Sequence, residues 1–331
     1  MEKLSFTKLI FIVSLAMASS ALDYFPEGYF NSSDLTKITW AHAVNTKQLL
    51  ETNLKDSSIQ MLEADLVIGT LTNSNETTVI MAHPPANTSD LSFEMFLNQT
   101  MEHNRNLTVE NRKGIKLDFK EFPAAEASLA ILASFNGTDS EGLRFPIWIN
   151  ADILAGPVNG STDVKVNGTR LIQLQQEHLP QSTLSLGWTT RFGRQSSGEV
   201  ITNGSYTREQ VDEMANVIKA AFTTDSEKSN AQVTFPLRAG IALNSVENIN
   251  YLLDQAGINF SSPSVTLWEG GDDPILDRPL LDQFVEAINR NRVFLDLPRS
   301  LGNDTSASFP LNPNFFLVFS LVLVLLMMLF R

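Results

Sequence analysis

The sequence predicts a (β/α)8 barrel in one α/β domain. Three observations predict it. Eight short runs are apolar, β-branched or aromatic, helical patterns separate most of them, and the alternation spans about 260 residues, the size and rhythm of that fold. No glycine-rich phosphate turn follows the first run, which argues against a doubly wound open sheet.

The strand-like runs, in order, are KITWAHAV (37–44), QMLEADLVI (60–68), GIKLDF (114–119), RFPIWINA (144–151), STLSLGW (182–188), QVTFPLRA (232–239), SVTLWEG (264–270) and RVFLDLP (292–298). A further run, TTVIMAHPP (77–85), falls between the second and third and is expected as an excursion over the barrel mouth. Among the helices, TREQVDEMANVIKAAF pairs Thr207 with Gln210 in a capping-box pattern, and Val211, Met214, Ala215, Ile218 and Phe222 recur at helical spacing. NSVENINYLLDQAG offers Ser245 as cap and Gly257 as stop. DRPLLDQFVEAINRN puts Pro279 in the first turn, where its missing N–H costs little.

The 331 residues have a formal net charge of −13, 43% hydrophobic side chains and no cysteine. That apolar content supports a full core. The acidity, without any basic stripe, excludes nucleic acid as a partner. A domain of this size is stable on its core alone, so absent cysteines do not argue against secretion.

Both ends read as processing segments. Residues 1–21 place Lys3 and Lys8 before an apolar stretch from Leu9 to Met17 and close on small residues, the pattern of a secretory signal peptide. The barrel domain is expected over residues 22–300. In residues 301–331, small and polar positions from Gly302 to Ser308 precede an apolar run from Phe315 to Phe330. That order matches a GPI-attachment signal, with a short membrane-spanning anchor as the alternative. Sequons at Asn31, Asn75, Asn87, Asn98, Asn106, Asn136, Asn159, Asn167, Asn203, Asn259 and Asn303 fit a glycoprotein of the secretory pathway, tethered on the extracellular face of the plasma membrane.

Barrel chemistry collects at the C-terminal ends of strands. Those ends carry His42 and Asn45 on the first strand, Glu63 and Asp65 on the second, Asp118 and Lys120 on the third, and Asn150 and Asp152 on the fourth; the excursion carries His83. Glu63 and Asp65, two apart on a strand, share a face. Three carboxylates in one mouth repel one another unless a cation sits among them, and an all-oxygen set suits Mg²⁺ or Ca²⁺ with phosphate beyond it. Two histidines beside such a metal fit phosphodiester chemistry as nucleophile, base or acid. Lys120 is expected to face phosphate charge. Trp188 and Trp268 at strand ends read first as core or lid packing, with Trp268 retained as a substrate-side candidate beside Asn45 and Asn150. Arg191 and Arg194 lie in the loop after the fifth strand, as surface or as an anion contact.

The motifs WAHAVN (40–45), MLEADLVIG (61–69), MAHPP (81–85), KLDFK (116–120) and WINADIL (148–154) resemble the menorin-like family across most of residues 36–300. That family is similar to barrels of the phospholipase-C-like phosphodiesterase type, the glycerophosphodiester phosphodiesterases and the venom sphingomyelinase D enzymes. The resemblance implies catalytic roles for His42 and His83, a metal held by Glu63, Asp65 and Asp118, and phosphate contact by Lys120. The H-A-V and D-x-K patterns here stand closer to the sphingomyelinase D type than to the glycerophosphodiesterase H-R-G and E-x-K. The resemblance also implies a cell-surface role in complexes with adhesion molecules or receptors. Two functions follow as expectations: a surface binding component with a retained metal site, and a metal-dependent phosphodiesterase acting on phospholipid headgroups or glycerophosphodiesters.

Overall fold

The computed structural model describes residues 29–297, apart from 31, 75, 136–142, 159, 161–162, 223, 225–230, 255–257, 259 and 261. The expected signal peptide and C-terminal anchor lie outside the described residues, as do the sequons at Asn31, Asn75, Asn136, Asn159, Asn259 and Asn303. No helix among the described residues is long and apolar enough to cross a membrane.

The strands are β1 (Trp40–Ala41), β2 (Met61–Leu71), β3 (Thr77–Met81), β4 (Thr88–Ser89), β5 (Gly114–Phe119), β6 (Ile147–Ala155), β7 (Thr183–Thr189), β8 (Gly193–Arg194), β9 (Val200–Ile201), β10 (Gln232–Arg238), β11 (Ser264–Trp268) and β12 (Val293–Asp296). Eight of them pair in parallel in the order β1-β2-β5-β6-β7-β10-β11-β12. The ends of that order meet, since Trp40 of β1 packs edge-on to Phe294 of β12 with centroids 6.3 Å apart. All eight expected barrel strands are present, and the fold is a (β/α)8 barrel.

The covering helices are α1 (Lys47–Lys55), α2 (Phe93–Arg105), α3 (Phe122–Phe135), α4 (Gly168–His178), α5 (Arg208–Ala221), α6 (Ala239–Ala242), α7 (Val246–Asp254) and α8 (Arg278–Ile288). In α5 the capping box forms: Gln210 N–H donates to Thr207 Oγ1 at 3.3 Å, and Thr207 N–H donates to Gln210 Oε1 at 3.0 Å. Its apolar stripe of Val211, Met214, Ala215 and Ile218 is fully buried, each side chain contributing about 1–3 kcal/mol of transfer free energy. Asp277 caps α8 on Leu280 N–H, and Pro279 sits in the first turn. Ser245 differs from expectation. Its hydroxyl donates to Ile241 C=O and accepts from Tyr206 N–H, so it ties α6 to the segment before α5 instead of capping α7.

Two strands differ in extent. The first ladder covers only Trp40–Ala41, because Leu35–Lys37 forms a 3-10 turn capped by Asp34 and Ala43 turns into the left-handed region with φ 54°. β2 runs on past its expected end at Ile68 to Leu71, and its stretch from Leu66 to Thr70 pairs antiparallel with β3. The expected excursion is therefore a hairpin grown from β2, standing off the barrel path.

Register decides what faces the barrel interior. Glu63 lies beside Lys116, Asp65 beside Asp118, Asp118 beside Asn150, and Asn150 beside Ser185. One step toward the N-terminal ends, Trp40, Trp148 and Phe294 form a floor. Trp148 meets Trp40 at 5.1 Å and Phe294 at 4.8 Å between ring centroids, both edge-to-face. The interior is thus aromatic below and ionic above.

Candidate metal centre

Glu63 and Asp65 are buried on β2, and Asp118 on β5 is half-buried beside them. Each of the three offers a carboxylate oxygen lying within 4.8 Å of the other two. Uncompensated charge there is expensive, so the surrounding groups decide what the cluster can hold.

Glu63 is held from β1. Its Oε2 accepts the Ala43 N–H at 2.7 Å, the bond for which Ala43 leaves the ladder, and lies 3.2 Å from His42 Nδ1. Burial nevertheless raises the Glu63 carboxyl to about 7, with His42 opposing and Asp65 adding to the rise. Asp65 is gripped by one side chain at two points: Asn45 Nδ2 donates to Asp65 Oδ2 at 2.7 Å, and Asp65 N–H donates to Asn45 Oδ1 at 2.9 Å. Asn45 thus acts on the carboxylate itself, its amide engaged at both ends.

Lys120 lies across the other two acids. Its Nζ is 2.9 Å from Asp65 Oδ1 and 2.5 Å from Asp118 Oδ2. Burial works against the Lys120 ammonium, but the two carboxylates outweigh it and its pKa is raised. Below them, Lys116 and Asp296 form a buried ion pair at 3.2 Å, and Asp296 Oδ1 is 3.4 Å from His42 Nδ1. Burial pushes the Asp296 carboxyl up, yet Lys116 and His42 prevail and bring it to about 2.

His42 is half-exposed at the rim, its pKa raised to about 9, by Glu63 above all. Carboxylates accept only, so Nδ1 carries the proton toward Glu63 and Asp296 and Nε2 is left at the mouth. His83 follows β3 and is exposed; its Nδ1 lies 2.7 Å from Pro84 C=O, which also only accepts. Its Nε2 is therefore the free nitrogen. No bond joins His83 to the acids among the described residues, although its charge acts on Asp65.

Asn150 is buried one strand on from Asp118 and accepts from Ser185 Oγ at 2.5 Å. Trp268 stands across the mouth, half-buried, with the Arg238 guanidinium 5.1 Å from its ring centroid. Arg238 is itself fixed by Asp273, its Nε bonding Oδ2 at 2.9 Å and its Nη2 bonding Oδ1 at 2.5 Å. Trp188 is buried in the core. Sequence reasoning missed Asp296 and Lys116. Both signals are present as strand parity, Lys116 two before Asp118 and Asp296 inside the apolar run RVFLDLP.

The donor set fits a hard divalent cation. It is all oxygen, it is assembled from two adjacent strands, and burial makes the Glu63 charge costly, which a cation among the oxygens would offset. Lys120 supplies part of that charge already, so four carboxylates, counting Asp296, stand against two ammoniums and one imidazole.

A model of the Menorin N-terminal domain matches residues 34–302. Human Protein FAM151B is 31% identical over 281 residues, covering 85% of this chain and 90% of the human protein. A solved structure described as a calcium-dependent phosphoinositol-specific phospholipase C from a Pseudomonas species is 9% identical, with TM-score 0.38 over 83% of this chain and 93% of that one. At that score the likeness carries no argument, and the barrel stands on its own strand order.

Proposed function

The chain belongs to the menorin family, and on that premise we propose that its barrel mouth is a divalent-cation-dependent phosphodiester site, hydrolysing a phospholipid headgroup or a glycerophosphodiester. The observation that carries this reading is the convergence of Glu63, Asp65 and Asp118 within 4.8 Å, beneath a histidine whose Nδ1 is fixed and whose Nε2 faces the mouth.

Glu63, Asp65 and Asp118 would hold Mg²⁺ or Ca²⁺, which supplies charge neutralisation to a bound phosphate. The chain's own residues do the rest. Glu63 and Asp296 orient His42 so that its imidazolium can give the Nε2 proton to the alcohol oxygen that leaves phosphorus as water attacks. The Pro84 carbonyl orients His83 in the same sense, giving a second imidazole with a free Nε2. Asn45 holds Asp65 by its Oδ2 and its backbone N–H, and Lys120 meets the phosphate oxygens nearest Asp118.

A second reading has its own observation. Lys120 already bridges Asp65 and Asp118, which is how a barrel that binds partners would stabilise a retained acidic site without turnover. In that reading the protein is a tethered cell-surface component that engages adhesion molecules or receptors. The exposure of Asn87, Asn98, Asn106, Asn167 and Asn203 supports a glycosylated, extracellular setting for either reading.

The test is hydrolysis of sphingomyelin, lysophospholipids and glycerophosphodiesters by protein made through the secretory pathway, with Mg²⁺, with Ca²⁺ and with EDTA. Cation-dependent turnover that His42→Ala and Glu63→Gln both abolish is the expected result. A folded, cation-binding protein with no turnover on any of them selects the second reading.

A further inference from the structure

Asp152 is used by nothing described so far. It lies on β6 with the parity of Trp148 and Asn150, so its side chain enters the barrel mouth one step above Asn150. A register shift between Asp152 and Leu154 marks a bulge at this point, the kind of irregularity that re-aims a side chain at a strand end. Opposite it is Gly187. A Cβ there would stand 2.6 Å from Asp152 Oδ1 and 3.0 Å from Pro236 Cγ, so the glycine leaves the space that the carboxylate fills.

Asp152 is open to solvent on the mouth side and walled by Gly187 and Pro236 on the other, and its carboxylate makes no hydrogen bond or ion pair among the described residues, while every cation near it is spoken for. Lys116 is on Asp296, Lys120 is on Asp65 and Asp118, and Arg238 is on Asp273. Its oxygens lie outside the Glu63–Asp65–Asp118 group, so it is not a fourth member of that cluster. Its charge acts on both sides of the mouth. The surrounding barrel wall, then Asp118, raise its carboxyl to about 7, Lys120 and Arg238 oppose them, and Asp152 in turn acts on Tyr206 beneath Arg238.

Resting on the phosphodiester reading, we propose that Asp152 is the headgroup-selecting residue of this site and accepts a hydrogen bond from a hydroxyl of a polyol headgroup. Placed between the acids and the Arg238–Trp268 wall, it meets the substituent that projects from a phosphate seated over Asp118 and Lys120. A hydroxyl suits a carboxyl raised to about 7, because it donates to the ionised form and accepts from the protonated one, whereas an ammonium can only donate.

The test is a set of binding isotherms on the full chain in detergent with Ca²⁺ present, using glycerol 3-phosphate, phosphoethanolamine, phosphocholine and inorganic phosphate. The wild type should prefer glycerol 3-phosphate to inorganic phosphate, and Asp152→Asn should reduce that preference by about tenfold or more. Inorganic phosphate should bind the variant as it binds the wild type, which also shows that the variant is folded. If both ligands bind and the variant leaves the preference unmoved, this inference falls and the phosphodiester reading stands. Should Asp152→Asn weaken phosphoethanolamine or phosphocholine as much as glycerol 3-phosphate, the residue reads positive charge and the hydroxyl assignment is overturned. If none of the four binds the wild type, the phosphodiester reading falls and takes this one with it.

Discussion

Lys116 and Asp296 lie 180 positions apart in the chain and meet inside the barrel, Nζ donating to Oδ2 at 3.2 Å. The bond ties β5 to β12 across the interior, above the aromatic floor. Both side chains are almost wholly buried, so neither can fall back on water if the other is removed.

Asp296→Asn is therefore expected to cost about 3–5 kcal/mol in urea unfolding, because it strands a buried ammonium. The pair Lys116→Met with Asp296→Leu should recover most of that loss, since it removes both charges. A double variant as unstable as the single one would show that the ion pair is not the source of the cost.

Acid stability follows from the same carboxylate. Its folded pKa, about 2, lies below the ordinary 3.8, so its contribution is complete above the ordinary value and drains away as pH falls through about 2. That contribution is about 2 kcal/mol. Melting curves between pH 5 and pH 2 should show Asp296→Asn less stable throughout but falling less steeply on the acid side than the wild type. Parallel acid limbs would contradict the assignment.

Cation binding should stabilise the fold. At about a hundredfold excess over the dissociation constant, Mg²⁺ or Ca²⁺ should add about 2.7 kcal/mol, reversed by EDTA. Glu63→Gln should abolish the shift while leaving a folded protein. An equal shift in the variant would remove Glu63 from the centre.

Asn45 offers a subtler test. Asn45→Ala frees both grips on Asp65 without removing a cation ligand. Cation affinity, read by titration calorimetry, should fall by about ten- to a hundredfold, the usual effect of losing an orienting partner. Unchanged affinity would mean that Asp65 needs no holding.

The barrel was legible because all eight strand runs are short, apolar and separated by helical stretches, and Glu63, Asp65 and Asp118 were legible because spacing by two puts strand residues on one face. What escaped was anything set by register between distant strands. Asp296 sits in an apolar run where a lone acid looks incidental, and only closure of β12 onto β1 brings it to His42. Lys116 reads as an ordinary charged residue until β5 is seen lying beside β2. The first strand was overextended because nothing in WAHAVN announces that Ala43 gives up its ladder bond to reach a carboxylate. Ser245 looked like a cap because serine before a helix usually is one, yet Tyr206 and Ile241 claim its hydroxyl.

The floor of Trp40, Trp148 and Phe294 has a consequence for traffic. The three packed rings close the interior beneath the carboxylates, so a ligand that reached them from the mouth would leave by the way it came. A long molecule cannot be threaded through and read along its length; only its tip descends, while the remainder trails outside. On the phosphodiester reading, such a site would favour the ends of a long ligand over its middle, and each ligand would have to leave before the next arrived.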